Sequence, residues 1–184
     1  MRQALTLHPG TLCTAATRID VEIERPRASN LVLHYSVTGS ISDLRVPPVG
    51  APTRAQELWQ HTCFEVFVRT PLSTAYYEFN FAPSMQWAAY RFSAYRREMR
   101  VADDVSAPCI EAQSRGQLYQ LRASLELGAL AALPSDSAWR LGLSAVIEET
   151  SGRKSYWALA HPPGKPDFHH ADCFACELPA ALPA

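Results

Sequence analysis

Length, composition and charge place this chain among ordinary folded proteins. Its 184 residues, 47% hydrophobic and 19% charged, are enough for one domain with a sizeable core, so we expect a single domain over residues 1–184. Seventeen basic residues almost balance eighteen acidic ones, and the formal net charge is -1. Because no strong positive field exists, neither nucleic acid nor a membrane surface is an expected partner.

Runs rich in Val, Ile, Tyr, Phe and Trp recur along the chain and are separated by Gly, Pro, Ser and Asn clusters. This pattern predicts an all-β fold, an antiparallel β-sandwich with at most short helices. The predicted strands cover residues 18–23, 31–38, 63–69, 76–81, 86–95, 110–113, 118–126, 139–148 and 154–160. Short helical segments are predicted at 55–58 and at 127–133, where Pro134 ends the second one.

The two ends of the chain and its cysteines bear on the compartment. The opening MRQALTLHPGT reaches a Pro-Gly turn before any apolar run long enough for a signal peptide. Five widely spaced cysteines, an odd number, fit reduced thiols better than a disulfide framework. We therefore expect a cytoplasmic location. The C-terminal segment LPAALPA at 178–184 is a separate case, and we expect it to be frayed.

Two neighbouring segments, LWQHTCFEVFVR and YYEFNFAPSMQWAAYRF, carry the most informative polar residues. Because side chains alternate along a strand, Glu65 lies away from the more apolar face, and Glu78 and Asn80 do the same in the next strand. If these strands pair as neighbours, the three side chains share one surface within cross-strand reach. Two carboxylates and an amide suit the hydroxyl groups of a small polar ligand. The alternative is a sheet face exposed to solvent.

Four tryptophans and one histidine extend this pattern. An indole ring offers a flat apolar face on which a sugar can stack. Trp59 and Trp87 stand among polar neighbours and are candidates for the site, as is His61. Trp139 opens a strongly apolar strand and is expected in the core, and core burial is also favoured for Trp157.

The later segment YWALAHPPGKPDFHHADCF follows a strand with a loop rich in Pro and Gly. Loops on a rigid sandwich usually carry binding groups, so Asp167, His169 and His170 are predicted to form a mobile rim of the site. The alternative is a stiff crossover in which the His and Asp side chains cap exposed backbone groups.

The sequence does not favour a cofactor or metal site. The run HHxxCxxC from His169 to Cys176 contains zinc-ligand types, but a structural zinc site normally joins two separated ligand pairs. Met85 or Met99 with a histidine has the ligand types for haem, but a Met near a sheet more often packs. We therefore expect no cofactor, with haem or zinc as a minor alternative.

Catalytic templates mostly fail on this sequence. It contains no Gly-rich phosphate loop after a strand, no GxSxG elbow and no HExxH helix. Glu65 and Glu78 form an acid and base pair for a glycosidic bond only if they lie about 5 to 10 Å apart. The expected function is thus binding without catalysis, and the alternatives are a glycoside-acting enzyme or a scaffold whose aromatic sheet face forms a homodimer.

The three segments quoted above resemble the DOMON-like superfamily, and within it small bacterial proteins related to the family-nine carbohydrate-binding modules. The resemblance reaches from about residue 58 to residue 174. It implies a jelly-roll-like β-sandwich that binds sugar or haem. By analogy with the sugar binders, Glu65, Glu78 and Asn80 would donate or accept hydrogen bonds and Trp87 would stack on the ligand.

The sequence therefore predicts a small-molecule-binding module, most plausibly for a saccharide or sugar derivative. The candidate ligand-binding residues are Trp59, His61, Glu65, Glu78, Asn80, Trp87, Asp167, His169 and His170.

Overall fold

The computed structural model describes residues 1–181, and these residues form antiparallel β-structure almost throughout. The strands are β1 (Arg2–Leu7), β2 (Ala16–Glu24), β3 (Asn30–Gly39), β4 (Cys63–Arg69), β5 (Tyr76–Phe81), β6 (Trp87–Phe92), β7 (Arg100–Val101), β8 (Cys109–Arg115), β9 (Leu118–Glu126), β10 (Trp139–Glu148), β11 (Lys154–Ala158) and β12 (Cys176–Leu178). Single 3₁₀ turns lie at Ile41–Asp43, Leu58–Gln60 and Ala171–Cys173. The predicted all-β class and all nine predicted strands are confirmed. Over residues 1–181, no helix has both the length and the apolar character needed to cross a membrane.

The predicted helix at 127–133 is wrong. This segment makes two successive turns, in which Leu130 N donates to Leu127 O at 3.0 Å and Leu133 N donates to Leu130 O at 2.8 Å. The three leucines are buried, so their spacing of three reflects core packing of turns and not a helix. At 55–58 only Leu58 enters a 3₁₀ turn. The sequence also missed β1, β7 and β12, which are short or largely polar, and the expected frayed tail at 178–184 includes residues 182–184, which lie outside the described range.

Strand β1 joins two sheets into one continuous path. Sheet A runs in the order β8-β9-β3-β2-β1, and sheet B runs β1-β11-β10-β4-β5-β6-β7 with β12 beside β10. All of these strand pairs are antiparallel. The sheet path therefore curls back on itself, and one face of each sheet turns toward the other.

The main core lies between the inner faces of sheets A and B. Phe64 of β4 packs on Tyr35 of β3 with ring centroids 5.0 Å apart, and on Tyr119 of β9 at 6.1 Å. The Tyr35 hydroxyl also donates to the backbone oxygen of Glu65 at 2.7 Å, which ties the sheets together. Trp139 and Trp157 are buried in this core, as the sequence predicted.

A second apolar layer covers the outer face of sheet B. Phe168 and Phe174 come from the late loop, which we define as residues 159–175, and they belong to one buried cluster with Phe67 and Tyr76 of the sheet. Phe174 lies 6.2 Å from Phe67 and 5.6 Å from Tyr76 between ring centroids. The late loop therefore covers the outer face of sheet B. This face is neither exposed to solvent nor an open aromatic surface, which were the two alternatives that the sequence left for it.

Replacing Phe64 with alanine is expected to destabilise the fold by about 3 to 5 kcal/mol, because the ring is fully buried between the sheets. Denaturant unfolding followed by circular dichroism measures this change. Leu72→Ala is the matched control, since Leu72 is 100% exposed and its truncation should change stability by less than about 0.5 kcal/mol. Equal effects of the two substitutions would contradict the assigned position of the core.

Candidate functional site

The strand register brings the predicted polar residues together on the outer face of sheet B. Glu65 of β4 lies opposite Asn80 of β5, and Phe67 lies opposite Glu78, which makes Glu65 and Glu78 diagonal neighbours. From the other side of β4, Ser144 of β10 lies opposite Glu65. The predicted common face is thus confirmed. We refer to Glu65, Glu78, Asn80 and Ser144 as the carboxylate cluster.

Hydrogen bonds within the carboxylate cluster use one oxygen of each carboxylate. Ser144 Oγ donates to Glu65 Oε2 at 3.0 Å, and Asn80 Nδ2 donates to Glu78 Oε1 at 2.7 Å. The Cys63 thiol faces Asn80 Oδ1 at 3.6 Å and so fixes the orientation of the amide. Glu65 is only 2% exposed and Glu78 only 6%. The cluster is therefore a buried polar group inside an apolar layer.

Burial changes the acidity of both carboxyl groups. The pKa of Glu65 rises from its usual value near 4.5 to about 8, first because burial disfavours the charged form and second because Glu78 adds a like charge. Burial also raises the pKa of Glu78, to about 7. Near neutral pH the cluster therefore binds protons that an exposed pair of glutamates would have lost.

A histidine of the late loop lies against the cluster. His169 Nε2 is 3.8 Å from Glu78 Oε2, and its Nδ1 is 2.8 Å from the Tyr76 hydroxyl. That hydroxyl accepts the Arg96 backbone N–H at 3.2 Å, so its own proton is free to be donated to Nδ1. Burial, assisted by the charge of Arg96, lowers the pKa of His169 to about 4, which makes the ring neutral at pH 7.

An ion pair and a shallow cavity lie on the solvent side of His169. Arg96 donates to Asp167 Oδ1 at 2.8 Å, and the Tyr95 hydroxyl donates to Asp167 Oδ2. Burial opposes ionisation of Asp167, but the bonds from Tyr95 and Arg96 hold its pKa below the usual range. These side chains, with His170, line a cavity of about 480 Å³, which is large enough for a small molecule. Its other walls are Pro162, Pro163, Lys165 and Pro166.

Three other predicted site residues do not join the carboxylate cluster. Trp59 lies on the 3₁₀ turn that packs on β4 and β5, and half of its surface is exposed. The exposed His61 binds Glu148 at 2.7 Å, near the end of β10. Trp87 lies opposite Phe81 and is buried in the main core with Arg54 over its ring at 4.2 Å. Trp87, a predicted stacking residue of the site, therefore lies on the opposite sheet face from Glu78.

The His and Cys side chains of the HHxxCxxC run point to different surroundings. Cys173 faces two backbone oxygens of the late loop, and Cys176 lies in the main core beside Met1. His170 caps the 3₁₀ turn that follows it. Among residues 1–181, no group of three or more His, Cys, Asp or Glu side chains is placed to hold a metal ion.

Sequence reasoning missed Ser144, Tyr76, Tyr95 and Arg96. Ser144 and Tyr76 stand at polar-face positions of their strands, so the alternation that selected Glu65 also marks them. Tyr95 and Arg96 begin the basic run YRREMR at 95–100, and such a short run is typical of a solvated strand end or turn. Arg96 has φ of 51°, a left-handed conformation that a long side chain seldom adopts, and this strain has no sequence signal.

Comparison with known proteins gives the fold. No family model and no curated protein matches the sequence. A proposed carbohydrate-binding protein from Bacteroides uniformis has a similar structure, with a TM-score of 0.62 at 14% identity over 94% of this chain and 83% of that one. A family 9 carbohydrate-binding module from Caldicellulosiruptor kristjanssonii in complex with cellotriose gives a TM-score of 0.53 at 12% identity, over 89% and 74% of the two chains. The chain therefore shares the β-sandwich fold of these proteins.

Glu65→Gln is expected to remove a pH-dependent loss of stability. A carboxyl group whose pKa is raised on folding binds more protons in the folded state, so the free energy of unfolding falls as pH rises from about 4.5 to about 8. Relative to the parent protein, the variant should gain at least about 1 kcal/mol between pH 5 and pH 8. Denaturant unfolding at several pH values measures this difference.

Glu148→Gln provides the control of opposite sign. Burial opposes ionisation of Glu148, but the His61 hydrogen bond and the Arg45 charge hold its pKa below the usual value. This carboxylate stabilises the fold above its pKa, so its replacement should cost stability at pH 8. A parallel pH dependence of the two variants would contradict the assigned environments.

Proposed function

We propose that this chain is a binding module for a saccharide or sugar derivative and that it has no catalytic activity of its own. The observation that carries the proposal is the carboxylate cluster, a set of interlinked acceptors and donors buried on a sheet face where apolar residues would pack better. A sheet needs no such group for stability, because a buried carboxyl group must either give up its charge or be paired. A polar ligand that uses these groups would explain why they are there.

The proposed ligand contacts come from the two sides of the late loop. Beneath the loop, Glu65, Glu78 and Asn80 would form hydrogen bonds with hydroxyl groups of the ligand. On the outer side, Asp167 and His170 line the cavity of about 480 Å³ and would form its rim. His169 is 3.8 Å from Glu78 and directly precedes His170 of the cavity wall, so we propose that a ligand reaching the cluster from the cavity displaces it.

Stacking on a ligand requires an aromatic ring that is exposed near the site, and the ring of Trp87 is buried in the main core. The exposed rings are Trp59, on the turn that packs against β4 and β5, and Tyr95, in the cavity wall, with 51% and 52% exposure. Each offers a flat apolar face with a polar tip. We therefore propose Trp59 and Tyr95 as the stacking residues.

The shared fold supports this assignment at the level of architecture. Of the similar structures described above, one is a carbohydrate-binding module in complex with cellotriose, and another is a proposed carbohydrate-binding protein. On this basis we propose that the chain is a DOMON-like ligand-binding domain spanning residues 1–184 and acting in the cytoplasm. Each part of this assignment goes beyond fold and rests on the motifs and cysteine pattern given above.

A glycoside-acting enzyme is the second candidate, and one observation favours it. Glu65 and Glu78 face the same side on adjacent strands, and their raised pKa values of about 8 and about 7 suit a proton donor near neutral pH. Release of nitrophenol from a panel of nitrophenyl glycosides tests this candidate. Turnover by the parent protein that Glu65→Gln and Glu78→Gln each abolish would replace the binding proposal with catalysis.

Saccharide binding is expected to depend on the two exposed aromatic rings. Tyr95→Ala and Trp59→Ala should each weaken binding by about 1 kcal/mol or more, because a stacked ring contributes beyond its buried area. Isothermal titration with mono- and disaccharides measures the dissociation constants, and haem and zinc in the same panel test the cofactor alternatives.

The matched control for Tyr95 is Met99→Ala, since Met99 is an exposed apolar residue that follows Tyr95 closely and lies outside the cavity. Its substitution should leave the dissociation constant unchanged. The proposal fails if the parent protein binds no saccharide up to roughly 10 mM, a limit that corresponds to only about -3 kcal/mol of binding free energy.

A further inference from the structure

The buried acidic side chains of this chain fall into two groups. The five buried acids are Asp20, Glu65, Glu78, Glu148 and Glu149. Three of them have an arginine partner: Asp20 pairs with Arg18 at 2.6 Å, Glu148 with Arg45 at 2.9 Å and Glu149 with Arg153 at 3.7 Å. The pKa of each of these three is lowered. The chain therefore pairs each of these three carboxylates with a partly exposed arginine.

Glu65 and Glu78 are the exceptions. Within residues 1–181, no Lys or Arg nitrogen lies within 4 Å of either carboxylate, and the only basic residue that close is His169, 3.8 Å from Glu78. That histidine is neutral at pH 7, as described above. The arginine whose charge acts on both carboxylates is Arg96, and Asp167 already engages its guanidinium at 2.8 Å. The cluster is thus a pair of acids without a cation.

We propose that the ligand supplies the missing cation, and that the site selects saccharides carrying a protonated amine over neutral ones. This inference rests on the proposed function and names the class of ligand within it. An amino sugar combines the hydroxyl groups that Asn80 and the cavity rim would bind with one ammonium group for the carboxylate pair.

The free oxygens of the pair match an ammonium group in number and kind. Oε2 of Glu65 and Oε1 of Glu78 are engaged by Ser144 and Asn80, which leaves one oxygen of each carboxylate as an acceptor. An ammonium group has three donors and no acceptor, which complements two acceptor oxygens that no side-chain donor engages. A calcium ion needs six or more oxygen ligands, and the described residues hold no acidic or His/Cys group of three around one point.

The titration behaviour agrees with this geometry. The titratable groups that face the pair are Cys63 on β4, Tyr76 on β5, Tyr90 on β6, His169 on the late loop and Arg96 beyond β6. Of these only Arg96 favours ionisation of the pair. A bound ammonium would favour ionisation much more strongly from within hydrogen-bond distance. Binding at pH 7 should therefore release protons from the protein.

Isothermal titration at pH 7 compares glucose with 2-amino-2-deoxyglucose, 3-amino-3-deoxyglucose, 6-amino-6-deoxyglucose and N-acetylglucosamine, which is neutral. At least one amino sugar should bind about tenfold or more tightly than glucose, the ratio expected for a hydrogen bond to a charged group. Titration in two buffers of different ionisation enthalpy should show proton release. Calcium and zinc chloride, titrated alone, separate a metal ion from an ammonium group as the source of the cation.

Two isosteric variants and one control complete the test. Glu65→Gln and Glu78→Gln should each bring the ratio of amino sugar to glucose affinity close to one, and their circular dichroism and melting confirm folding. Asp20→Asn removes a buried acid that has its own arginine, and it should leave the ratio unchanged. Equal binding of glucose and all three amino sugars would overturn the inference while leaving the proposed function intact. Tight binding of a metal ion instead would also overturn it, and absence of binding to every sugar would remove both.

Discussion

The central strands β4 and β5 of sheet B are buried on both faces, and the rest of the structure depends on this constraint. Its inner face packs against sheet A through Phe64 and its neighbours, and its outer face packs against the late loop through Phe67 and Tyr76. Any polar side chain on β4 or β5 must then find its hydrogen bonds inside the protein. Two strands that would be half-exposed in a simple sandwich become the centre of a three-layered region, with sheet A, sheet B and the loop stacked in order.

The late loop is held to this region by polar contacts as well as by its two phenylalanines. Arg96 bonds Asp167 through its guanidinium, while its backbone N–H bonds the Tyr76 hydroxyl, which in turn contacts His169. One residue of the β6–β7 turn therefore fixes both the outer and the inner side of the loop. Because His169 lies against Glu78, a change of charge in the carboxylate cluster reaches the loop through a single contact. The cavity wall and His169 are thus parts of one hydrogen-bonded assembly, and His169 approaches the buried cluster at 3.8 Å from Glu78.

Local alternation made the face of Glu65, Glu78 and Asn80 predictable, because side chains of a regular strand must alternate and neighbouring strands in sequence usually pair. The error for Trp87 arose where that regularity stops. The turn after β5 closes with the Ala82 N–H donating to Gln86 O at 2.9 Å and with Met85 at φ of 73°, so that Phe81 and Trp87 face the core as a pair. The alternation of side chains along one strand does not continue through such a turn, so the sequence does not indicate which sheet face Trp87 occupies.

The late loop was recognised from its composition, but its role as a cover was not predictable, since it depends on contacts between residues some 90 positions apart, such as Tyr76 and His169. The helix predicted at 127–133 failed for a related reason. A spacing of three apolar residues satisfies a helix and also a chain of turns packed on the core, and only tertiary contacts decide between them.

The fold shared with carbohydrate-binding structures at 12% to 14% identity explains the sandwich but not the carboxylate cluster. Fold stability alone argues against such a cluster, because apolar residues of similar volume are often neutral or stabilising replacements for buried ionic groups. The three buried acids that have arginine partners show one way in which this chain stabilises a carboxylate of low exposure. Glu65 and Glu78 lack that compensation and lie between an exposed tryptophan turn and a loop-lined cavity. Near neutral pH the protons that their raised pKa values retain compensate them instead, and a cationic ligand is the proposed replacement for those protons.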